Sequence, residues 1–271
     1  MKKQNTLFRT VLWIVAVSLA VSCSRVPVTN RKQMNLVPES ELVAMSLTSY
    51  QAFLKENPPL PASNVQAQLV KKTGAKIAEA VKEFLTRNKM QSRINDYNWE
   101  FNLVESKELN AWCMPGGKVV VYTGLLPVTK DEAGLAFVMG HEIAHAVARH
   151  GNERMSQQLV AATGGIALDV AMSNQPAETR GMMLAAYGVG SQVGILLPFS
   201  RLHESEADKL GMIFMAMAGY DPSQAPLVWE RMMAQNTGKK PPELLSTHPC
   251  DEKRIADLRN YVNEARKYAK K

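Results

Sequence analysis

The succession of apolar and polar positions describes a mainly helical chain interrupted by one short β region. From Glu39 to Lys55, Leu42, Val43, Met45, Ser46 and Tyr50 recur at a rough 3.6-residue period, which predicts a helix ended by Pro58, Pro59 and Pro61. A second amphipathic helix is predicted from Asn64 to Thr86, with Leu69, Ile77, Ala80, Val81 and Leu85 on its buried side. Trp99 to Val104 alternates partly and Val119 to Tyr122 is β-branched, with Pro115-Gly116-Gly117 as a turn, so a small sheet is expected there. Thr129-x-x-Glu132 has the form of a capping box, with Thr129 as N-cap and a central helix starting at Lys130. That helix is apolar on most sides as far as Ala148, as a helix buried in mid-domain would be, and Gly151 is its expected stop.

Met155 to Leu197 has few charges and many Ala, Gly and Met, broken at Ser173 to Pro176; it reads as two buried or lid-like helices, with its methionines in the core. Its length and the interruptions at Ser191, Gln192 and Pro198 fall short of a membrane span. Ser200 to Ala218 is a further helix closed by Gly219-Tyr220-Asp221-Pro222. Pro222 to Gln235 is another, Thr237 to Ser246 is a polar loop, and Asp251 to Lys270 is a charged helix with Ile255, Leu258 and Val262 inward. The expected fold class is mainly α with a small antiparallel β-sheet.

Composition changes this picture at the N-terminus. Met1-Lys2-Lys3 and an apolar run from Val11 to Val21 form a secretory leader over 1–22, too short for a comfortable span. Ala20-Val21-Ser22-Cys23 resembles a bacterial lipobox, with Ala20 where Leu is commonest, so Cys23 is the expected lipidation site. Residues 23–38 then read as a polar spacer to the anchor, and 39–271 as the catalytic domain. The formal charge is +7, but Lys2, Lys3 and Arg9 lie in the leader; without them it is +4, with no basic run, and nucleic acid is not an expected partner. Export places Cys113 and Cys250 in an oxidising compartment, where they are either a disulfide or two buried thiols.

The chemistry lies in His141-Glu142-Ile143-Ala144-His145. At about 100° per residue, His141 and His145 stand roughly 40° apart on a helix, so both imidazoles can hold one metal ion. Glu142 falls beside them, within reach of a water bound to the same ion. Catalytic zinc normally takes a third protein ligand. The metzincin spacing fails because Ala148 and Gly151 stand where Gly and His are required, and the thermolysin spacing fails because Gly164 and Gly165 stand where Glu is required. The best remaining donors are in Ser200–Asp208, where Glu204 and Asp208 share a helix face while Glu206 and His203 point away. On its own, that pair reads equally as a solvated acidic face. His150 is about 180° round the helix from His141 and cannot join it; Arg149 and Arg201 have structural roles by default.

Taken together, His-Glu-Ile-Ala-His at 141–145, Ser-Arg-Leu-His-Glu-Ser-Glu-Ala-Asp at 200–208, Asn-Ala-Trp-Cys-Met-Pro-Gly-Gly at 110–117 and Ser-Thr-His-Pro with a following Arg at 246–254 resemble metallopeptidase family forty-eight, a gluzincin group. The resemblance covers about residues 40 to 262. It implies a zincin-like domain holding one Zn2+, with His141, His145 and Glu204 as metal ligands and Asp208 behind a ligand histidine. Asn110 and the strand from Gly117 to Thr123 match the edge lining the family's cleft, where an extended substrate adds as a strand. His248 and Arg254 match a Ser-Thr-His-Pro-x-x-x-x-Arg element. His248 then either supports the oxyanion, with or without Asn110, or closes the metal site as a fourth ligand, and Arg254 holds a carboxylate.

The function implied is a zinc endopeptidase of the cell envelope, tethered by lipid on the periplasmic face, at the outer membrane. It cuts unfolded or misassembled envelope proteins with Glu142 as general base. The alternative is a zinc-containing assembly factor for outer-membrane proteins that rarely cuts. The substrate and any docking protein are not readable in the chain.

Overall fold

A computed structural model describes residues 23–235 and 242–269; the leader, and residues 237–241 of the polar loop expected from Thr237 to Ser246, lie outside the described residues. Two compact units are present, one of 23–38 with Arg149–Phe199, the other of Glu39–Ala148 with Ser200 onward.

In the first unit, β1 (Cys23–Arg25) and β2 (Lys32–Met34) form an antiparallel hairpin. The stretch expected as a polar spacer thus carries a strand pair. Arg31 Nη1 and Nη2 donate to the two carboxylate oxygens of Glu153 at 2.7 Å each, and Gln33 Nε2 donates to the same carboxylate at 3.1 Å. Asn152 Nδ2 donates to Val37 O and Leu36 N donates to Ser156 Oγ, both at 2.8 Å. These polar residues start a long helix, His150–Ala171, which is followed after Met172–Pro176 by a second, Ala177–Ser191. A single π turn, Gln192–Leu196, leads onward. The methionines expected in the core do not lie there: no residue of Ala177–Ser191 is buried.

The second unit contains α1 (Glu39–Glu56), α2 (Val65–Arg87), β3 (Glu100–Val104), β4 (Ala111–Met114), β5 (Lys118–Tyr122), a one-turn α3 (Leu126–Thr129) and the central α4 (Glu132–Val147). The helices of the first unit are numbered α5 (His150–Ala171) and α6 (Ala177–Ser191). After them come α7 (Leu197–Met217), α8 (Gln224–Ala234), α9 (Glu243–Thr247) and α10 (Glu252–Arg266). Asn64 caps α2 by accepting from Gln66 N and Ala67 N, and Asp251 caps α10 by accepting from Arg254 N.

The sheet is mixed, not wholly antiparallel. Its order is β3-β5-β4, with β3 and β5 parallel and β4 and β5 antiparallel. After β3 the chain skips one strand position before laying down β4. The tight turn at Gly116 and Gly117, at φ of 87° and 83°, then returns β5 into the gap. The strand expected at the cleft edge is thus the sheet centre. The outer side of β3 is partly taken by Pro59 and Leu60, whose N–H donates to Leu103 O at 2.8 Å, so β4 is the open edge among the described residues.

Helix α4 packs against α2, α8 and β4, and nearly all its residues are buried. Its N-cap is not Thr129. That residue ends α3, where its hydroxyl donates to Leu126 O; Lys130 then adopts φ 66°, and Asp131 Oδ1 accepts from Gly134 N at 2.8 Å. Glu132 is freed from the expected capping box to accept from Tyr220 Oη at 2.6 Å and from Lys72 and Lys76 at 3.0 Å each. Gly151 does not stop α4 either; the break is a left-handed Arg149 at φ 57°.

Candidate metal centre

Two helices cross at glycine. A Cβ on Gly211 of α7 would lie 2.9 Å from His141 N, and one on Gly140 would lie 3.0 Å from Gly211 O, so the backbones of α4 and α7 touch where neither has a side chain. Asp208 and Glu204 stand one and two turns before Gly211 on α7, and the contact brings their face onto the histidine pair of α4. The acidic face is therefore an interior one: both residues are 4% exposed.

The ring nitrogens converge. His141 Nε2 and His145 Nε2 are 3.2 Å apart, and each is 3.4 Å from a carboxylate oxygen of Glu204. His248, just past α9, brings Nδ1 to 2.9 Å from Glu204 Oε2 and 3.3 Å from His141 Nε2. One donor atom from each of these four residues lies within 4.8 Å of all the others. His141 Nδ1 faces Asp208 Oδ1 at 3.0 Å, so Nε2 is the ring nitrogen turned toward the cluster. Lone pairs and a carboxylate gathered at one buried point repel one another unless a cation lies between them, so the donor set fits a metal ion such as zinc.

The charges behind the cluster are closely matched. Arg254 Nε and Nη2 donate to the two oxygens of Asp208 at 2.6 and 2.8 Å, Nη2 is 3.1 Å from Glu204, and Nη1 donates to Pro249 O at 2.9 Å. The guanidinium lies 4.2 Å over the Trp229 ring, whose Nε1 donates to Asp208 at 3.4 Å. Burial alone would raise the Asp208 carboxyl, but Arg254 and His141 hold it below its ordinary value. Burial would likewise raise Glu204, and the three histidines hold it well below. For His141 burial pulls downward, and Asp208 and Glu204 overcome it, pushing the ring up to about 9. A field this negative at the ring nitrogens attracts any cation.

Glu142 is 4% exposed, its Oε1 takes no hydrogen bond, and His248 Nε2 lies 3.6 Å from it. Burial raises its carboxyl above the ordinary value, against the pull of His248 and His141. The open strand β4 packs on α4 here, and Cys113 on that strand has its thiol pushed up by burial and by the nearby Glu142 carboxylate.

Asn110 stands at the head of β4. Its Oδ1 accepts from Ala111 N at 2.9 Å and its carbonyl accepts from Tyr122 N at 3.1 Å, so it holds the edge strand in register. Cys113 and Cys250 are free thiols and not a disulfide. They lie on separate elements, β4 and the start of α10's cap, and each Sγ turns to the carbonyl of its own next residue. Burial raises the Cys250 thiol to about 11. Cys23 begins β1. Trp229 escaped sequence reasoning, because an aromatic at a helix's apolar position carries no sign that it will seat an arginine. The glycine pair could have been found: Gly140 immediately precedes the motif, and Gly211 stands three residues beyond Asp208.

A histidine-pair helix crossed by a second helix that delivers a carboxylate to the same point, beside a small sheet with an open edge, defines the gluzincin class. The chain belongs to Peptidase family M48, whose signature matches residues 71–262. It is 32% identical over 243 residues to the mitochondrial metalloendopeptidase OMA1 of Schizosaccharomyces pombe, covering 89% of this chain and 66% of that protein. To human mitochondrial metalloendopeptidase OMA1 it is 30% identical over 250 residues, covering 89% of this chain and 46% of that protein. To the beta-barrel assembly-enhancing protease of Escherichia coli it is 36% identical over 178 residues, covering 62% and 35%. The chain thus spans less than two thirds of the length of these relatives.

Proposed function

We propose that the chain is a zinc-dependent endopeptidase of the cell envelope that hydrolyses internal peptide bonds of unfolded or misassembled envelope proteins. The observation that carries this reading is the convergence of His141, His145, Glu204 and His248 within 4.8 Å, with the Glu142 carboxylate, whose Oε1 takes no hydrogen bond, at their side. His141, His145 and Glu204 would hold the ion, Asp208 orients His141, and Arg254 balances the two buried carboxylates. When bound, zinc supplies Lewis acidity that acidifies water and polarises a carbonyl. Glu142 takes the proton from the attacking water and returns it to the leaving amine. The open edge of β4 offers backbone groups to an extended substrate, so recognition rests on main-chain hydrogen bonds and an unfolded segment is the natural ligand.

His248 sits in the donor cluster and faces Glu142, a position suited both to closing the site and, once swung outward, to donating to the oxyanion. A His248→Ala variant with unchanged basal hydrolysis and unchanged zinc affinity refutes this switch. The same closed position favours a second reading, a zinc-holding assembly factor that rarely cuts. The leader, the lipobox-like stretch before Cys23 and the similarity to an Escherichia coli protein named for β-barrel assembly support an acylated Cys23 and an outer-membrane, periplasm-facing location.

The test is hydrolysis of casein and of an unfolded β-barrel protein by wild type and Glu142→Gln, with zinc content measured in both. Equal zinc, one ion per chain, with cleavage lost only in the variant supports the peptidase. No cleavage by wild type, with cellular function intact in Glu142→Gln, supports the assembly factor.

A further inference from the structure

The first unit carries a feature that peptide hydrolysis does not use. From Leu159 to Phe199 no described side chain is buried, although this is among the most apolar stretches of the chain. Of the residues from 155 to 197 only Asp169, Glu178 and Arg180 carry a formal charge. Two of those cancel: Arg180 Nε and Nη2 meet the two carboxylate oxygens of Asp169 at 2.5 Å each, across the α5–α6 hairpin. The outward faces are apolar on both helices, with Ile166 and Val170 at 66% and 67% exposure on α5 and Met182 and Val189 at 62% and 66% on α6. The inward faces pack through small residues. Tyr187 lies against Gly164 and Gly165, and its hydroxyl donates to Ala161 O at 2.9 Å.

A helix apolar on all sides is stable in a protein core or in lipid, and this hairpin is in no core. Close packing through glycine and alanine, with the charges paired to each other, is the arrangement helices adopt when their surroundings are hydrocarbon. By length and composition alone, the helical run that begins at Ala177 holds an 18-residue window apolar enough to cross a membrane, none of it buried. The occupant is further indicated by where the chain leads. The apolar leader run Val11–Val21 ends two residues before Cys23, and Cys23 opens the β1–β2 hairpin that Arg31, Gln33 and Asn152 bolt to the first turns of α5. The hairpin that opens at Cys23 is thus tied, through a half-buried ion pair, to the base of the apolar hairpin. Arg154, exposed on the second turn of α5, sits at the polar end, where a cation meets lipid headgroups.

We propose that the α5–α6 hairpin is embedded in a lipid bilayer, as a second attachment in addition to the N-terminus. Membrane attachment then no longer depends on the N-terminus alone, because the clamp at Glu153 ties the β1–β2 hairpin that opens at Cys23 to the base of the α5–α6 hairpin. The choice of membrane rests on the envelope-lipoprotein reading; the insertion itself does not.

The experiment places a nitroxide at Ile166→Cys or Val189→Cys in the full chain carrying Cys113→Ser and Cys250→Ser, with a Cys23→Ser version labelled in parallel. The protein is reconstituted into phosphatidylethanolamine–phosphatidylglycerol vesicles. Collision with oxygen, which concentrates in lipid, is compared with collision with a water-soluble nickel chelate. Embedded positions show oxygen collision several-fold above that of the chelate, and a control label at the exposed Lys82→Cys shows the reverse. Chelate contact at both hairpin labels equal to the control overturns the proposal. So does exclusion of both reagents, which means that protein, whether the leader, a second copy or a partner, covers the face. The two readings fail separately. An N-terminal peptide of unmodified mass refutes acylation of Cys23, whereas water contact at both labels refutes the embedded hairpin whatever the state of Cys23.

Discussion

Gly211→Ala tests the claim that the metal centre exists because two helix backbones touch. The added Cβ would lie 2.9 Å from His141 N, 3.0 Å from His141 Cα and 3.1 Å from Gly140 C, all backbone atoms with no rotamer to yield. Ordinary contact begins near 3.4 Å, so α7 must shift by several tenths of an ångström from α4. Overpacking of this kind costs up to about 3 kcal/mol, and the gain of alanine over glycine in a helix returns about 1 kcal/mol, leaving a loss of about 2 kcal/mol. For a domain of this size that is a Tm lowered by roughly 4–8 °C. Because Glu204 rides on α7 and the histidines ride on α4, zinc affinity falls with it, about tenfold or more. Thermal unfolding and competition against a chromogenic zinc chelator read the two effects. Gly151→Ala is the control: its Cβ meets nothing within 4 Å, so only the helical gain remains. A Gly211→Ala protein that is as stable as the control and holds zinc like wild type refutes the reasoning.

Arg254→Leu leaves Asp208 and Glu204 buried without their shared cation, at a cost of about 3–5 kcal/mol and a fall of about 10–100-fold in zinc affinity; denaturant unfolding and the same chelator competition check both. Glu132, held down to about 2 by the Tyr220 hydroxyl and then by Lys72 and Lys76, stabilises the folded state above its unfolded pKa, and that stability is lost as pH falls from about 4.5 toward 2. Its side chain is 26% exposed, so screening leaves about 1–2 kcal/mol of this. Tyr220→Phe should flatten the acid limb of a stability–pH curve, and an unchanged curve contradicts the assignment. Arg31→Met removes the bidentate partner of Glu153, which is 1% exposed, and should speed amide exchange over residues 24–34 while leaving α4 protected. Equal exchange in both proteins would show that the clamp does not hold the hairpin.

Local physics made much of this protein legible in its residues. Periodicity located α1, α2 and α10 because each buries one stripe, and the His141–His145 pair needed only helical geometry to face one point. What failed were the features set by contact between distant segments. Four residues of β4 hold a tryptophan, a cysteine and a methionine without alternation, and their strand character comes from pairing with β5. The parallel β3–β5 register, and hence which strand is the edge, follows from a chain that skips a position and fills it afterwards. The capping box at Thr129 lost to Asp131 because Tyr220, Lys72 and Lys76 offered Glu132 stronger partners than the backbone. The methionines of α6 read as core because apolar composition does not say whether a side chain will find packed neighbours, and no residue of Ala177–Ser191 is buried.

For the site the division is the same. Residue identity alone supplied two nitrogens and a base on one helix turn, since their spacing is short and the helix rigid. That Glu204, Asp208, His248 and Arg254 complete it is a property of the crossing of α4 with α7 at Gly140 and Gly211, and of Trp229 beneath the arginine. An acidic pair on a helix is a solvated face or a buried donor set according to what lies opposite, and only the tertiary contact decides between them.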